Sequence, residues 1–268
     1  MASSLMFCLD VNYLNSLALK HREEYAHAKP FPHVVIDDFL PEFVLENVLS
    51  EFPKPGNIDW IRFKTTAEKK LASKHEQQMG DAIRLLLYQL NSSTFITFLE
   101  TLTGIDGIIP DPHFEGGGLH QIERGGYLKI HADFNRHKKL RLDRRLNLLI
   151  YLNKDWKEEY GGVLELWDKD MTRCQKKILP IFNRCVIFNT TDFSYHGHPD
   201  PLTCPDGQTR KSLALYYYSN GRPAEEIVGG DHLTLFQARP EDSMLAFKTA
   251  LKKLMPPVLV DVVKVLKR

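Results

Sequence analysis

The sequence predicts a mostly β domain supported by helices, and two observations predict it. From about residue 117 the apolar spacing changes from helical intervals to short extended stretches, at 119–122, 127–131, 146–152, 163–167, 177–182, 185–188 and 212–218. Between them Gly125-Gly126, Gly161-Gly162 and Asn183-Arg184 read as turns. Short strands at this spacing imply a sandwich or a barrel, and the helical patterns upstream supply a layer to cover one face.

In chain order, Leu14, Leu17, Ala18 and Tyr25 give residues 11–28 a helical face that Pro30 stops. Residues 31–39 read as a short strand. Pro41 then opens a helix whose face carries Phe43, Val44, Val48 and Leu49, closed by Pro53 and Pro55. Met79, Ile83, Leu86, Leu87 and Leu90 recur at helical intervals, as do Phe95, Phe98, Leu99 and Leu102 before Gly104. Helical spacing returns after Glu241 with Met244, Leu245, Phe247, Leu251 and Leu254, breaks at Pro256-Pro257 and resumes over 258–266. We expect one domain over 1–268: helical support with an edge strand over 1–116, the β core over 117–220, and a C-terminal helical extension over 221–268.

Composition narrows the class little. Of 268 residues 43% are hydrophobic and 26% charged, and 35 basic against 34 acidic side chains leave a formal charge of +1. No global field argues for nucleic acid. Cys8, Cys174, Cys185 and Cys204 form no CxxC pair, which fits a reducing compartment. The N-terminal residues lack a basic region followed by an apolar run, and no stretch reaches the roughly 20 apolar residues of a membrane span. The expectation is a cytoplasmic protein.

Chemistry concentrates between Gly125 and Arg210. On a strand His131 and Asp133 project from the same face. A second histidine from the segment Tyr195-His196-Gly197-His198 would complete a set of two imidazoles and one carboxylate, with His196 and His198 both open as the donor. Such a set leaves coordination positions free, as in non-haem Fe(II) sites.

From about residue 31 to 220 the chain resembles the Fe(II)- and 2-oxoglutarate-dependent oxygenases of the prolyl-4-hydroxylase-like branch. The residues that carry the resemblance are Tyr127-x3-His131-x-Asp133, the strands around Leu148 to Asn153 and Gly161-Gly162-Val-Leu-Glu-Leu, Tyr195-His196, and Arg210-x-Ser212-Leu. The ordered set is far more specific than any single piece. The resemblance implies a double-stranded β-helix, a jelly-roll or cupin-like core flanked by helices. It implies His131, Asp133 and His196 as ligands of Fe(II), and favours His196 over His198. Arg210 would pair with the distal carboxylate of 2-oxoglutarate, since a guanidinium fork matches a carboxylate. Tyr127 is a candidate hydroxyl donor to that carboxylate and Asn147 a weaker one. Lys211 is a spare for Arg210, although a one-residue shift on a strand turns it to the other face.

The implied activity is hydroxylation of an unactivated C–H bond by O₂ with release of succinate and CO₂, ascorbate serving as an accessory reductant. The substrate would be a small molecule or a peptide or protein, prolyl or amino-acid in type. Two rivals keep the fold: a cupin-like metal hydrolase or isomerase, and a non-catalytic 2-oxoglutarate- or metal-sensing module. The run Lys138, Lys139, Arg141, Arg144 and Arg145 follows the metal motif and could attract an acidic substrate, its default being a solvated loop.

Overall fold

The computed structural model describes residues 7–226 and 230–242. Helices α1 (Val11–His27), α2 (Glu42–Ser50), α3 (Asp81–Leu90) and α4 (Ser93–Thr103) form the supporting layer. α1 starts where the Asp10 carboxylate accepts from the Tyr13 N–H at 2.7 Å, satisfying a donor the helix cannot. Ser92 caps α4 in the same way, and Gly104 at φ 70° ends it in the left-handed conformation that L side chains resist.

The strands are β1 (His33–Ile36), β2 (Ile61–Lys64), β3 (Glu68–Ala72), β4 (Ile109–Pro110), β5 (Gly118–Ile122), β6 (Tyr127–Ala132), β7 (Asp143–Tyr151), β8 (Leu164–Trp167), β9 (Cys174–Ile178), β10 (Cys185–Asn189), β11 (His196–His198), β12 (Arg210–Ser219) and β13 (Leu235–Phe236). They form one antiparallel ladder in the order β1-β10-β7-β12-β5-β3-β6-β11-β8-β9, with β2 beside β3, β4 beside β12 and β13 beside β6.

Alternation sorts the two faces of this ladder. Leu146, Leu148 and Ile150 of β7 and Leu213, Leu215 and Tyr217 of β12 pack with helix residues such as Leu14, Ile83 and Phe95 in the main core. Each such side chain removed from water contributes about 1.5–3 kcal/mol. Asn147 and Tyr151 on β7, with Arg210 and Tyr216 on β12, fall on the opposite face. The ladder curls so that β8 and β9 lie over β7 and β10, where Leu164, Leu166, Ile178, Tyr151, Val186 and Phe188 form a second cluster. The result is the nearly closed, mostly β core with flanking helices that the resemblance implied.

The hairpin of β2 and β3 escaped the sequence reading because Ile-Arg-Phe-Lys and Glu-Lys-Lys-Leu-Ala carry too little apolar alternation, and β2 is largely exposed. β9 lies earlier than the expected 177–182. Residues 175–177 are exposed and need no apolar pattern, whereas Pro180 interrupts the next stretch, and the Phe182 N–H turns back to Asn153 O at 2.9 Å. The expected extension over 221–268 begins instead with a single 3₁₀ turn at Ala224–Glu226 and then β13; its helical pattern over 243–268 lies outside the described residues. No helix among the described residues is long and apolar enough to cross a membrane.

Candidate active site

β6 and β11 are adjacent, and their register places His131 opposite His196. Gly197 makes this pairing possible. A Cβ there would stand 2.8 Å from Leu128 O and 2.9 Å from Lys129 O, so β11 could not approach the β6 backbone with a side chain at that position. Asp133 follows the last residue of β6. His131 Nε2 lies 3.5 Å from Asp133 Oδ1, and His196 Nε2 lies 3.4 Å from Asp133 Oδ2. The three donor atoms all fall within 4.8 Å of one another. His198 is outside this cluster, so the geometry pairs His131 and Asp133 with His196.

Hydrogen bonds orient the three groups. His131 Nδ1 lies 2.9 Å from Lys129 O and His196 Nδ1 3.0 Å from Ser194 O. Because a carbonyl only accepts, each Nδ1 carries the proton and each Nε2 offers its lone pair to the centre. Asp133 Oδ2 accepts from Asn147 Nδ2 at 2.7 Å and lies 3.1 Å from Arg144 Nη2. Burial raises the Asp133 carboxyl, but Arg144, His196 and His131 outweigh it and hold the group well below the ordinary carboxylate range. Burial, with His131 next, brings His196 down to about 4, so its ring is neutral at pH 7 and able to ligate.

Arg210 opens β12 on the same interior face. It is 4% exposed, and no carboxylate lies within ion-pair distance of it among the described residues. Its Nε donates to Gly162 O at 2.8 Å and its Nη2 to the Tyr151 hydroxyl at 3.3 Å. Gly162, at φ 71°, leaves the space the guanidinium stem needs, since a Cβ there would meet Arg210 Cδ at 2.8 Å. The long spacing from His196 to Arg210 is filled by a loop packed onto the core, with Leu202 and Cys204 against Ile122 and Trp156. Lys211 points the other way, its Nζ on Thr209 O.

Two sequence assignments are corrected here. Tyr127 is not beside Arg210: its hydroxyl donates to Thr65 O at 3.0 Å, on the side of β6 that meets the β2–β3 hairpin. Asn147 serves Asp133 instead of a distal carboxylate. The hydroxyl beside Arg210 belongs to Tyr151, four residues along β7 from Asn147 and roughly 13 Å away at the usual strand rise. Tyr151 sits in the expected strand, but periodicity alone could not say which of its polar groups reaches Arg210.

A cavity of about 580 Å³ opens onto the cluster, lined by residues including His120, Phe134, Arg144 and Tyr216. By sequence Arg144 belongs to a run whose default is a solvated loop. Arg144 is 1% exposed, stacked 4.4 Å from the Phe134 ring centroid and 3.5 Å from that of Tyr216, with its Nη1 lacking a partner. The rest of the basic run is partly neutralised: Arg141 lies 3.2 Å from Asp231 and Arg145 3.4 Å from Glu226. That pairing weakens the expected pull on an acidic substrate.

Comparison with known proteins agrees with this geometry. The sequence profile of the 2OG-Fe(II) oxygenase superfamily matches residues 117–218, the span that holds the whole cluster and Arg210. Over that span this chain is similar to the 2OG-Fe(II) oxygenase superfamily. The prolyl 3-hydroxylase OGFOD1 of Mus musculus is 25% identical over 199 residues, covering 70% of this chain and 33% of the mouse protein, so the chain spans about a third of that relative's length. Among solved structures, a Pseudomonas putida prolyl-4-hydroxylase superposes with a TM-score of 0.54 at 14% identity, over 78% of this chain and all of the other. A Trichoplax adhaerens prolyl hydroxylase, solved with a peptide fragment of hypoxia inducible factor, gives 0.56 at 18% identity over 78% and 92%. HygX of Streptomyces hygroscopicus, solved with nickel, 2-oxoglutarate and hygromycin B, gives 0.52 at 11% identity over 82% and 99%. These likenesses establish the shared fold.

The residues of this site fit Fe(II) and 2-oxoglutarate. Two oriented imidazoles and a carboxylate suit a divalent iron with open positions. A buried guanidinium with no carboxylate beside it among the described residues suits the carboxylate of a ligand.

Proposed function

We propose that the chain is a 2-oxoglutarate-dependent hydroxylase whose substrate is a prolyl residue in a peptide-type molecule. The observation that carries the reaction class is the placement of two unlike sites in one interior. His131, Asp133 and His196 converge at one end, and the buried, carboxylate-free Arg210 stands with Tyr151 near the other. In this reading the first three hold Fe(II), while Arg210 and the Tyr151 hydroxyl hold the distal carboxylate of 2-oxoglutarate.

Bound iron and cosubstrate supply oxidative decarboxylation of 2-oxoglutarate to succinate and CO₂, with one O₂ oxygen delivered to a substrate C–H bond. The chain's own part is positional. Asn147 and Arg144 keep Asp133 ionised and aimed, and the strand carbonyls of Lys129 and Ser194 hold both rings with Nε2 toward the centre. Arg144 Nη1, held between Phe134 and Tyr216, offers a donor to a substrate carbonyl in a cavity of the size that takes small ligands or one residue of a peptide. The prolyl preference is supported by the activity named for the mouse relative and by the two prolyl hydroxylase structures.

The test is succinate release from 2-oxoglutarate by anaerobically reconstituted Fe(II) protein after admission of air. Proline-containing peptides should stimulate release and gain one oxygen atom by mass spectrometry, and Arg210→Ala and His196→Ala should abolish both. Failure of the wild-type protein to bind 2-oxoglutarate would overturn the reading.

A further inference from the structure

His198 stands two residues beyond His196 on β11, with Gly197 pressed against β6 between them. Alternation along β11 gives the two histidines one face, although the pairing with β6 shifts register between them, from His131 opposite His196 to Leu128 opposite His198, so the His198 ring lies about 6–7 Å farther along the strand. It is 4% exposed, yet among the described residues neither Nδ1 nor Nε2 has a hydrogen-bond partner. A neutral imidazole always carries one N–H, and leaving a buried donor unmatched is costly. Packing alone gives no reason for a polar ring here, and the metal cluster does not include it.

The surroundings say what would satisfy it. Arg210 reaches this part of the sheet: its Nε donates to Gly162 O, three residues before Glu165, which pairs with Gly197 on the neighbouring strand. On the opposite layer Arg210 spends Nε and Nη2 on Gly162 and Tyr151, which leaves Nη1. An unmatched imidazole and a guanidinium without a counter-ion therefore border one interior space, and an anionic acceptor complements both.

We propose that His198 is a positioning residue for the cosubstrate, donating a hydrogen bond to the dicarboxylate that Arg210 also holds. The inference rests on the reading of this interior as a 2-oxoglutarate site and adds a contact to it. His198 thereby helps set cosubstrate affinity without touching the metal.

The experiment uses the full chain loaded with Mn(II), which permits binding without turnover, and titrates 2-oxoglutarate calorimetrically into wild type, His198→Leu and His198→Gln. Loss of one hydrogen bond to a charged acceptor should raise the 2-oxoglutarate Kd about 10- to 100-fold in His198→Leu. His198→Gln, which keeps an N–H donor, should recover most of that loss, and Mn(II) affinity should be the same in all three proteins. A wild-type Kd in both variants would overturn the role of His198 and leave the functional reading standing. Loss of Mn(II) binding together with 2-oxoglutarate binding in both variants would also overturn it, by assigning the ring to packing. Wild-type protein that binds Mn(II) but no 2-oxoglutarate would overturn this inference and the functional reading together. A further check needs no variant: the ring ¹⁵N resonances of His198 in the Zn(II) protein should shift on addition of 2-oxoglutarate, and unchanged resonances at saturation would overturn the donor role.

Discussion

Asn147 donates its side-chain N–H to Asp133 Oδ2 at 2.7 Å, across the interior from β7 to the end of β6, while its own Oδ1 accepts from Arg144 Nε at 3.0 Å. One amide thus links a metal-facing carboxylate to a buried guanidinium. Removing it leaves Asp133 held by Arg144 without the Asn147 bond, and leaves Arg144 Nε without its acceptor. Asn147→Ala should lower metal affinity about 10- to 100-fold, as loss of an outer partner of a ligand usually does. Competition against a chelator measures it, and unchanged affinity would show that Arg144 alone orients Asp133.

Arg210 has the complementary duty toward the cosubstrate. Arg210→Ala should raise the 2-oxoglutarate Kd about 100-fold, the scale of one or two charge-assisted hydrogen bonds, without altering metal affinity. Arg210→Lys keeps the charge but not the planar fork, so its Kd should lie between the two. Equal Kd values for all three proteins would place the distal carboxylate elsewhere.

Gly197 is a packing requirement with a functional consequence. A Cβ there would stand 2.8–2.9 Å from the β6 carbonyls of Leu128 and Lys129, so its absence is what lets β11 approach and brings His196 opposite His131. Gly197→Ala should destabilise the protein by about 1–3 kcal/mol, the usual cost of overpacking a close backbone contact. Because the displaced strands carry two of the three cluster residues, metal affinity should fall with it. Denaturant titration and metal binding on the same variant test both.

Acid should weaken the metal-free protein well above the carboxylate range. Burial is the leading cause that brings His196 down to about 4 and His120 to about 3. An unfolded histidine titrates near 6.5, so below that pH the unfolded chain binds protons the folded chain refuses. The stability each ring contributes is therefore present above about pH 6.5 and is lost progressively as pH falls toward its folded value. Between pH 7 and pH 5 the loss should be about 1–2 kcal/mol for each ring. A denaturation midpoint flat over that range would contradict it.

The legible parts of this protein were those written in local spacing. Helix faces at Leu14 to Tyr25 and Phe95 to Leu102, and strand runs such as 146–152 and 185–188, carry enough apolar residues to declare themselves. The charged β2–β3 hairpin does not, because neighbouring strands, more than its own apolar residues, hold it in place. His131 and Asp133 were legible as a pair because strand alternation makes them neighbours by arithmetic.

What the sequence by itself determined is the order and chemistry of the parts: a helical support, a run of strands, and a histidine, carboxylate, histidine and arginine set in a recognisable sequence. Only the tertiary structure decided their partners. Tyr127 and Tyr151 are both strand tyrosines, and Asn147 and Arg144 both sit in a stretch beside charged loop residues. Which of them faces Arg210 or Asp133 depends on how β7, β12, β6 and β11 are brought together, and on which face each presents. That is set by ladder register and by the curl of the sheet, through contacts between residues as far apart in sequence as Asn147 and Asp133 or Ser212 and His120. Hydrogen-bond direction and burial arise only once those distant segments meet, so no local pattern could have stated them.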